Sequence, residues 1–169
     1  MNYKRCLVFR WALVLIWLTF TAYLSQQSGI KSSATSGMIA RLLFRVARHF
    51  RPGVSFATFH YLVRKCAHFG MHFVLAWLGY RAFSLFFDKR FYTLVATISL
   101  FGLVAVFDEL IQSVSPGRAM MLGDAMINVS GVLCGAIVGV LSAALFGVLK
   151  RLWAALRRLW GHLLSIPSS

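Results

Sequence analysis

Asp108-Glu-Leu-Ile-Gln-Ser-Val-Ser-Pro-Gly-Arg-Ala-Met-Met-Leu-Gly-Asp-Ala-Met-Ile-Asn-Val-Ser-Gly131 is the stretch on which the reading of this chain turns. The chain has only four acidic residues, and three of them, Asp108, Glu109 and Asp124, lie here; the fourth, Asp88, sits in a short basic turn. Long apolar segments flank the stretch on both sides. Ionisable groups beside or inside a bilayer are costly, and they mark functional positions more often than chance would place them there. Ser-Pro-Gly-Arg at 115–118 reads as a turn. It folds the stretch back on itself, so that Asp108 and Asp124 end on the same membrane face.

Composition fits that setting. Hydrophobic residues make up 59% of the sequence and the mean hydropathy is +0.74, well above what a soluble domain carries. The net charge of +14 is interleaved with apolar runs. It therefore points to anionic lipid headgroups rather than to nucleic acid. Three cysteines, Cys6, Cys66 and Cys134, are scattered among these runs. They form neither a disulfide framework nor a CxxC metal motif.

The expected fold is an all-α integral membrane protein: a four-transmembrane-helix bundle with two amphipathic interfacial helices. The spans are predicted at about 7–24, 66–87, 91–112 and 123–149. The first run is read as an uncleaved span rather than a signal peptide, being long for one and lacking a small-x-small cleavage site. Residues 30–37 read as a Ser/Thr/Gly-rich loop. An interfacial helix follows at about 38–50, with Arg41, Arg45 and Arg48 on its polar face. A four-helix membrane domain at 1–149 then gives way to a basic amphipathic tail at 150–169. In that tail Arg157 and Arg158 face anionic lipid, opposite a Leu/Trp stripe. Lys4, Arg5 and Arg10 favour an N-terminus on the cytoplasmic side, and four spans return the C-terminus there.

In such an up-down bundle several polar clusters converge at one end. Ser25–Gly29 close the first span and Arg64, Lys65 and His68 open the second. Asp108, Glu109 and Gln112 close the third, and Asp124 and Asn128 open the fourth. Asp108 and Gln112 are four apart, as are Asp124 and Asn128; Lys65, His68 and His72 also share one face. Lipid satisfies none of these groups, so they belong inside the bundle. Arg118 and Lys65 suit phosphate oxygens, and a carboxylate-oriented His68 suits proton transfer. The bland alternative is that the carboxylates merely pair with Arg64, Lys65 and Arg118 to hold helices together. His68-x-x-x-His72 has metal-ligand spacing but lacks the Glu of the HExxH pattern, so no metal is assigned. No motif specifies a cofactor.

Arg64-Lys65-Cys66-Ala67-His68-Phe69, Asp108-Glu109-x-x-Gln112, Pro116-Gly117-Arg118 and Asp124-x-x-x-Asn128-x-x-Gly131-x-x-x-Gly135 together resemble the VanZ-like family of small membrane proteins. The resemblance covers roughly residues 10–145, and the Ser25–Gly29 cluster resembles that family's polar motif after its first helix. One departure is Met71-His72, where the family often has an acidic residue and a Tyr. The family is named for a glycopeptide-resistance protein linked to teicoplanin tolerance. Broader comparisons group it with membrane enzymes acting on lipid headgroups or lipid-linked cell-wall intermediates. The resemblance therefore implies a cell-envelope protein of the bacterial cytoplasmic membrane whose partner is a membrane lipid or lipid-linked precursor. By position it implies a site of His68, Asp108, Glu109 and Asp124 as catalytic groups, with Gln27, Lys65, Gln112, Arg118 and Asn128 holding substrate. The expected chemistry is transfer or hydrolysis at a phosphodiester or diphosphate. The rival expectations are a non-catalytic lipid- or partner-binding protein and, third, a small transporter.

Overall fold

The computed structural model describes residues 3–50, 53–117 and 121–164. Five helices account for almost all of them: α1 (Tyr3–Ser25), α2 (Gly29–Phe50), α3 (Phe56–Phe83), α4 (Arg90–Ser113) and α5 (Leu122–Leu164). No strand occurs among the described residues. α1, α4 and α5 are each long and apolar enough to cross a membrane. α3 is longer than α1, but His68, His72 and Arg81 dilute its apolar character.

The inside and outside of the bundle are distributed as lipid requires. Thr93, Thr97 and Asn128 are buried, whereas Ile16, Leu103, Phe107 and Leu141 are exposed. Water would reverse that arrangement; a hydrocarbon solvent stabilises it, because only the interior satisfies polar side chains.

α3 is the hub and packs against each of the other four helices, most extensively against α5. Small residues permit this. A Cβ on Gly131 would meet the Phe69 carbonyl, and one on Gly135 the Phe73 carbonyl. The backbones of α3 and α5 thus approach more closely than any side chain allows. Across the bundle Val14, Leu75, Phe101, Ala105 and Val132 form the apolar core. The Trp17 indole ties α1 to α3 by donating to the Met71 carbonyl at 2.9 Å.

The two ends of the bundle are closed differently. At the first, Arg10 donates to the Arg81 carbonyl, and the Tyr3 hydroxyl donates to the Leu85 carbonyl at 3.2 Å. At the other, the α1–α2 turn meets the α4–α5 turn: the Gly29 N–H donates to the Pro116 carbonyl at 3.1 Å. Gly117 takes a positive φ of 75° there, a conformation glycine adopts without steric cost.

Three element boundaries differ from the sequence reading. α2 begins at Gly29, not near residue 38. The Ser/Thr stretch stays helical because its hydroxyls bond back into the helix, Thr35 to the Lys31 carbonyl at 3.1 Å and Ser36 to the Ser32 carbonyl at 2.8 Å. α3 begins at Phe56, nearly three helical turns before its predicted start at 66, because Ser55 caps it by accepting the Thr58 N–H at 3.2 Å. The tail at 150–164 is no separate second helix but the continuation of α5. Nothing between Leu149 and Arg151 breaks the helix, and Ala, Leu and Arg beyond it propagate it.

Candidate functional site

The polar clusters meet at the end of the bundle where the two turns interlock. α4 brings Asp108, Glu109 and Gln112, and all three are buried. α5 brings Asp124 and Asn128 in its first turns, also buried. A carboxylate in a helix's first turn is favoured by the helix dipole. α3 supplies Arg64, Lys65, His68 and His72.

Each site carboxylate has a polar partner within the fold. Asp124 forms an ion pair with Lys65, whose ammonium also lies 4.9 Å from the Tyr61 ring centroid. Asp108 accepts a hydrogen bond from the Gln112 amide at 2.9 Å and lies 3.8 Å from His72 Nε2. Glu109 accepts the Met121 N–H at 3.0 Å, which fixes the approach to α5. Arg64 is different: it has no carboxylate partner among the described residues.

Arg64 stands between two cavities. The first, about 150 Å³, is lined by Thr21, Leu24, Ser25 and Gln27 from the α1 end and by Ser32, Thr35, Ser36 and Ile39 from α2. Arg64, Ala67, His68, Met71 and His72 of α3 and Asp108 and Gln112 of α4 complete it. The second, about 550 Å³, is lined by Gly29, Ile30, Ser33, Arg64, Glu109, Gln112, Gly117, Met121 and Asp124. The first is lined by both polar and apolar side chains. The second is the more polar vestibule.

His72 sits deeper than His68 and is the imidazole beside Asp108. Its Nδ1 lies 3.2 Å from the His68 carbonyl. A carbonyl cannot donate, so Nδ1 carries the proton and Nε2 is the basic nitrogen. That Nε2 faces Asp108, which stabilises an imidazolium once it forms. Among the described residues no three His, Cys, Asp or Glu side chains converge as metal ligands.

The expected site residues thus fall into groups. Gln27, His68, Asp108 and Gln112 line the first cavity, and Glu109, Asp124 and Gln112 the second. Lys65, expected to hold phosphate, is ion-paired with Asp124. Asn128 is fully buried and lines neither cavity; neither end of its amide has a hydrogen-bonding partner among the described residues. Arg118 lies outside the described residues. Arg64 and His72 also line the cavities, and the Ser/Thr stretch expected as a loop is the start of α2. The Ser32, Thr35, Ser36 spacing of three and four was the available signal for a helical polar face.

A family model described as VanZ/LLP1 matches residues 9–147, and the chain belongs to that family. The motif resemblance is therefore borne out over most of the sequence. Searches of curated proteins and of solved structures gave no match.

Proposed function

We propose that this VanZ/LLP1 protein draws an anionic lipid headgroup, or that of a lipid-linked cell-wall precursor, into the cavities around Arg64 and acts on its phosphate ester. The observation that carries this reading is the state of the charges. Each of the three carboxylates at this end has a polar partner within the fold, Lys65 for Asp124, the Gln112 amide for Asp108 and the Met121 N–H for Glu109, and Arg64 stands as a cation lining both cavities. A guanidinium in that position presents a planar fork to phosphate oxygens. His72 Nε2, backed by Asp108, takes the proton released as a water or hydroxyl attacks phosphorus, and returns it to the ester oxygen that leaves as its P–O bond breaks. His68 and Gln112 orient the headgroup.

In this reading α3 is the fourth span, since it runs between α1, α4 and α5. Lys4, Arg5, Arg10, Arg81, Lys89 and Arg90 gather at the end away from the cavities. The positive-inside rule then puts both termini in the cytoplasm of a bacterial cell and opens the site on the extracytoplasmic face. The surface Arg residues of α2 and of the C-terminal part of α5 rest against anionic lipid. Altered envelope lipid chemistry would link the protein to teicoplanin-type susceptibility.

A second reading is binding without chemistry. It is favoured by the same partnered carboxylates, which serve the fold whether or not a reaction follows. Reconstitution in vesicles containing phosphatidylglycerol, with headgroup turnover followed by mass spectrometry, separates the two. The catalytic reading expects His72→Gln to abolish turnover while lipid binding stays within about twofold, since the imidazole contributes little to ground-state binding. Binding by the unaltered protein with no turnover of any anionic lipid would leave the second reading standing alone.

A further inference from the structure

The part of the first cavity's wall formed by α1 and α2 has its own chemistry. Thr21 Oγ1 donates to the Trp17 carbonyl at 2.9 Å, Thr35 Oγ1 to the Lys31 carbonyl at 3.1 Å and Ser36 Oγ to the Ser32 carbonyl at 2.8 Å. Carbonyl oxygens cannot donate, so each hydroxyl proton is committed to its own helix. What these oxygens offer to a ligand is lone pairs. Ser36 accordingly accepts from His60 Nε2, 2.8 Å away, and retains one further acceptor position. The cavity is therefore two-sided, with a cation on α3 and, besides the Gln27 amide, hydrogen-bond acceptors on α1 and α2. Its volume of about 150 Å³ has room for several small polar groups, each water-sized group needing roughly 10–15 Å³.

We infer that the ligand's headgroup carries hydroxyl groups beyond its phosphate, a polyol phosphodiester such as a glycerol or sugar phosphate. This deepens the headgroup reading above and rests on it. A phosphate oxygen is repelled by an acceptor wall and goes to Arg64. A substituent without donors, such as a methyl ester or a choline, leaves the acceptors desolvated and unpaired. An ammonium substituent satisfies the acceptors but has to sit in the same small cavity as the Arg64 guanidinium, and the nearby Asp108 is already held by Gln112 and His72. Hydroxyls meet both demands.

The test is a calorimetric titration of the full chain in detergent with four lipids of identical acyl chains. They are phosphatidylglycerol, phosphatidylmethanol, phosphatidylethanolamine and phosphatidylcholine. Phosphatidylglycerol is expected to bind about tenfold more tightly than phosphatidylmethanol, as two hydrogen bonds of ordinary net strength imply. Thr21→Val/Thr35→Val should close that gap, and Thr35→Val alone, at an exposed position of α2, should narrow it without a folding penalty. Equal affinity for the two anionic lipids, or a gap that survives both variants, overturns the hydroxyl assignment while leaving anion binding at Arg64 intact. Phosphatidylethanolamine binding as tightly as phosphatidylglycerol overturns it in favour of an ammonium. Anionic lipids that bind equally well to Arg64→Gln overturn this inference together with the reading beneath it.

Discussion

Lys65 and Asp124 hold α3 to α5 at the polar end, with Asp124 buried and Lys65 nearly so. Removing one partner strands the other charge, at a cost of about 3 kcal/mol; the figure is at the low end for buried pairs because the Lys65 side chain keeps some access to water. Lys65→Met and Asp124→Leu should each lower the thermal midpoint of the purified protein. The double variant should lose clearly less than the two losses added. Strict additivity in melts of the three variants would show that the pair is not coupled. At this scale the acidic cluster was legible, because acid is so scarce in the chain that its placement stands out. The identity of each partner was not. Arg64 and Lys65 differ by one step of about 100° around α3, so the rotation of that helix decides which meets Asp124. His68 and His72 share a face one turn apart, and the axial offset of α4 against α3 puts His72 rather than His68 beside Asp108. No residue pattern within a single helix records that offset.

Between elements the glycines of α5 set the geometry of the site. Gly131 and Gly135 let α3 approach until its carbonyls at Phe69 and Phe73 occupy the space of a Cβ. Gly135→Ala should therefore destabilise the bundle by roughly 1–3 kcal/mol, the usual cost of overpacking. Gly147→Ala, where a Cβ meets nothing within 4 Å, should be neutral or stabilise by up to about 1 kcal/mol through helix propensity. Matching thermal midpoints for the two variants would contradict the close α3–α5 contact. The spacing of these glycines was readable in the sequence, whereas the helical state of residues 29–37 was not. Ser, Thr and Gly favour loops when their hydroxyls turn to nearby backbone groups. Here the hydroxyls bond one turn back along α2, and Gly37 and Ala40 bury that helix against its neighbour. The extent of α5 was missed for a related reason. A change from apolar to amphipathic pattern at Lys150 marks a change of surroundings, and the helix runs through it unbroken.

For the whole molecule the all-helical membrane architecture followed from hydropathy alone, and three helices meet the demands of a span by length and composition. α3 did not stand out in the same way, because the polar groups that make the site also lower its hydropathy. Crossing of the membrane by α3 is therefore the topological statement most worth testing. In a cysteine-free background, Gln27→Cys and Ser115→Cys should react with an impermeant thiol reagent from outside the cell, and Asp88→Cys only after permeabilisation. Labelling of positions 27 and 88 from the same side would rule out a crossing by α3. The convergence of Arg64 with two cavities and three partnered carboxylates gives the assembly its proposed purpose, anion capture from the bilayer. Native mass spectrometry after purification from bilayers of mixed phosphatidylglycerol and phosphatidylcholine measures this most directly. The unaltered protein should retain phosphatidylglycerol, and Arg64→Gln, with an unchanged thermal midpoint, should retain at least about tenfold less, the loss of a charge-assisted contact. Equal retention of phosphatidylglycerol by both proteins would contradict the central role given to Arg64.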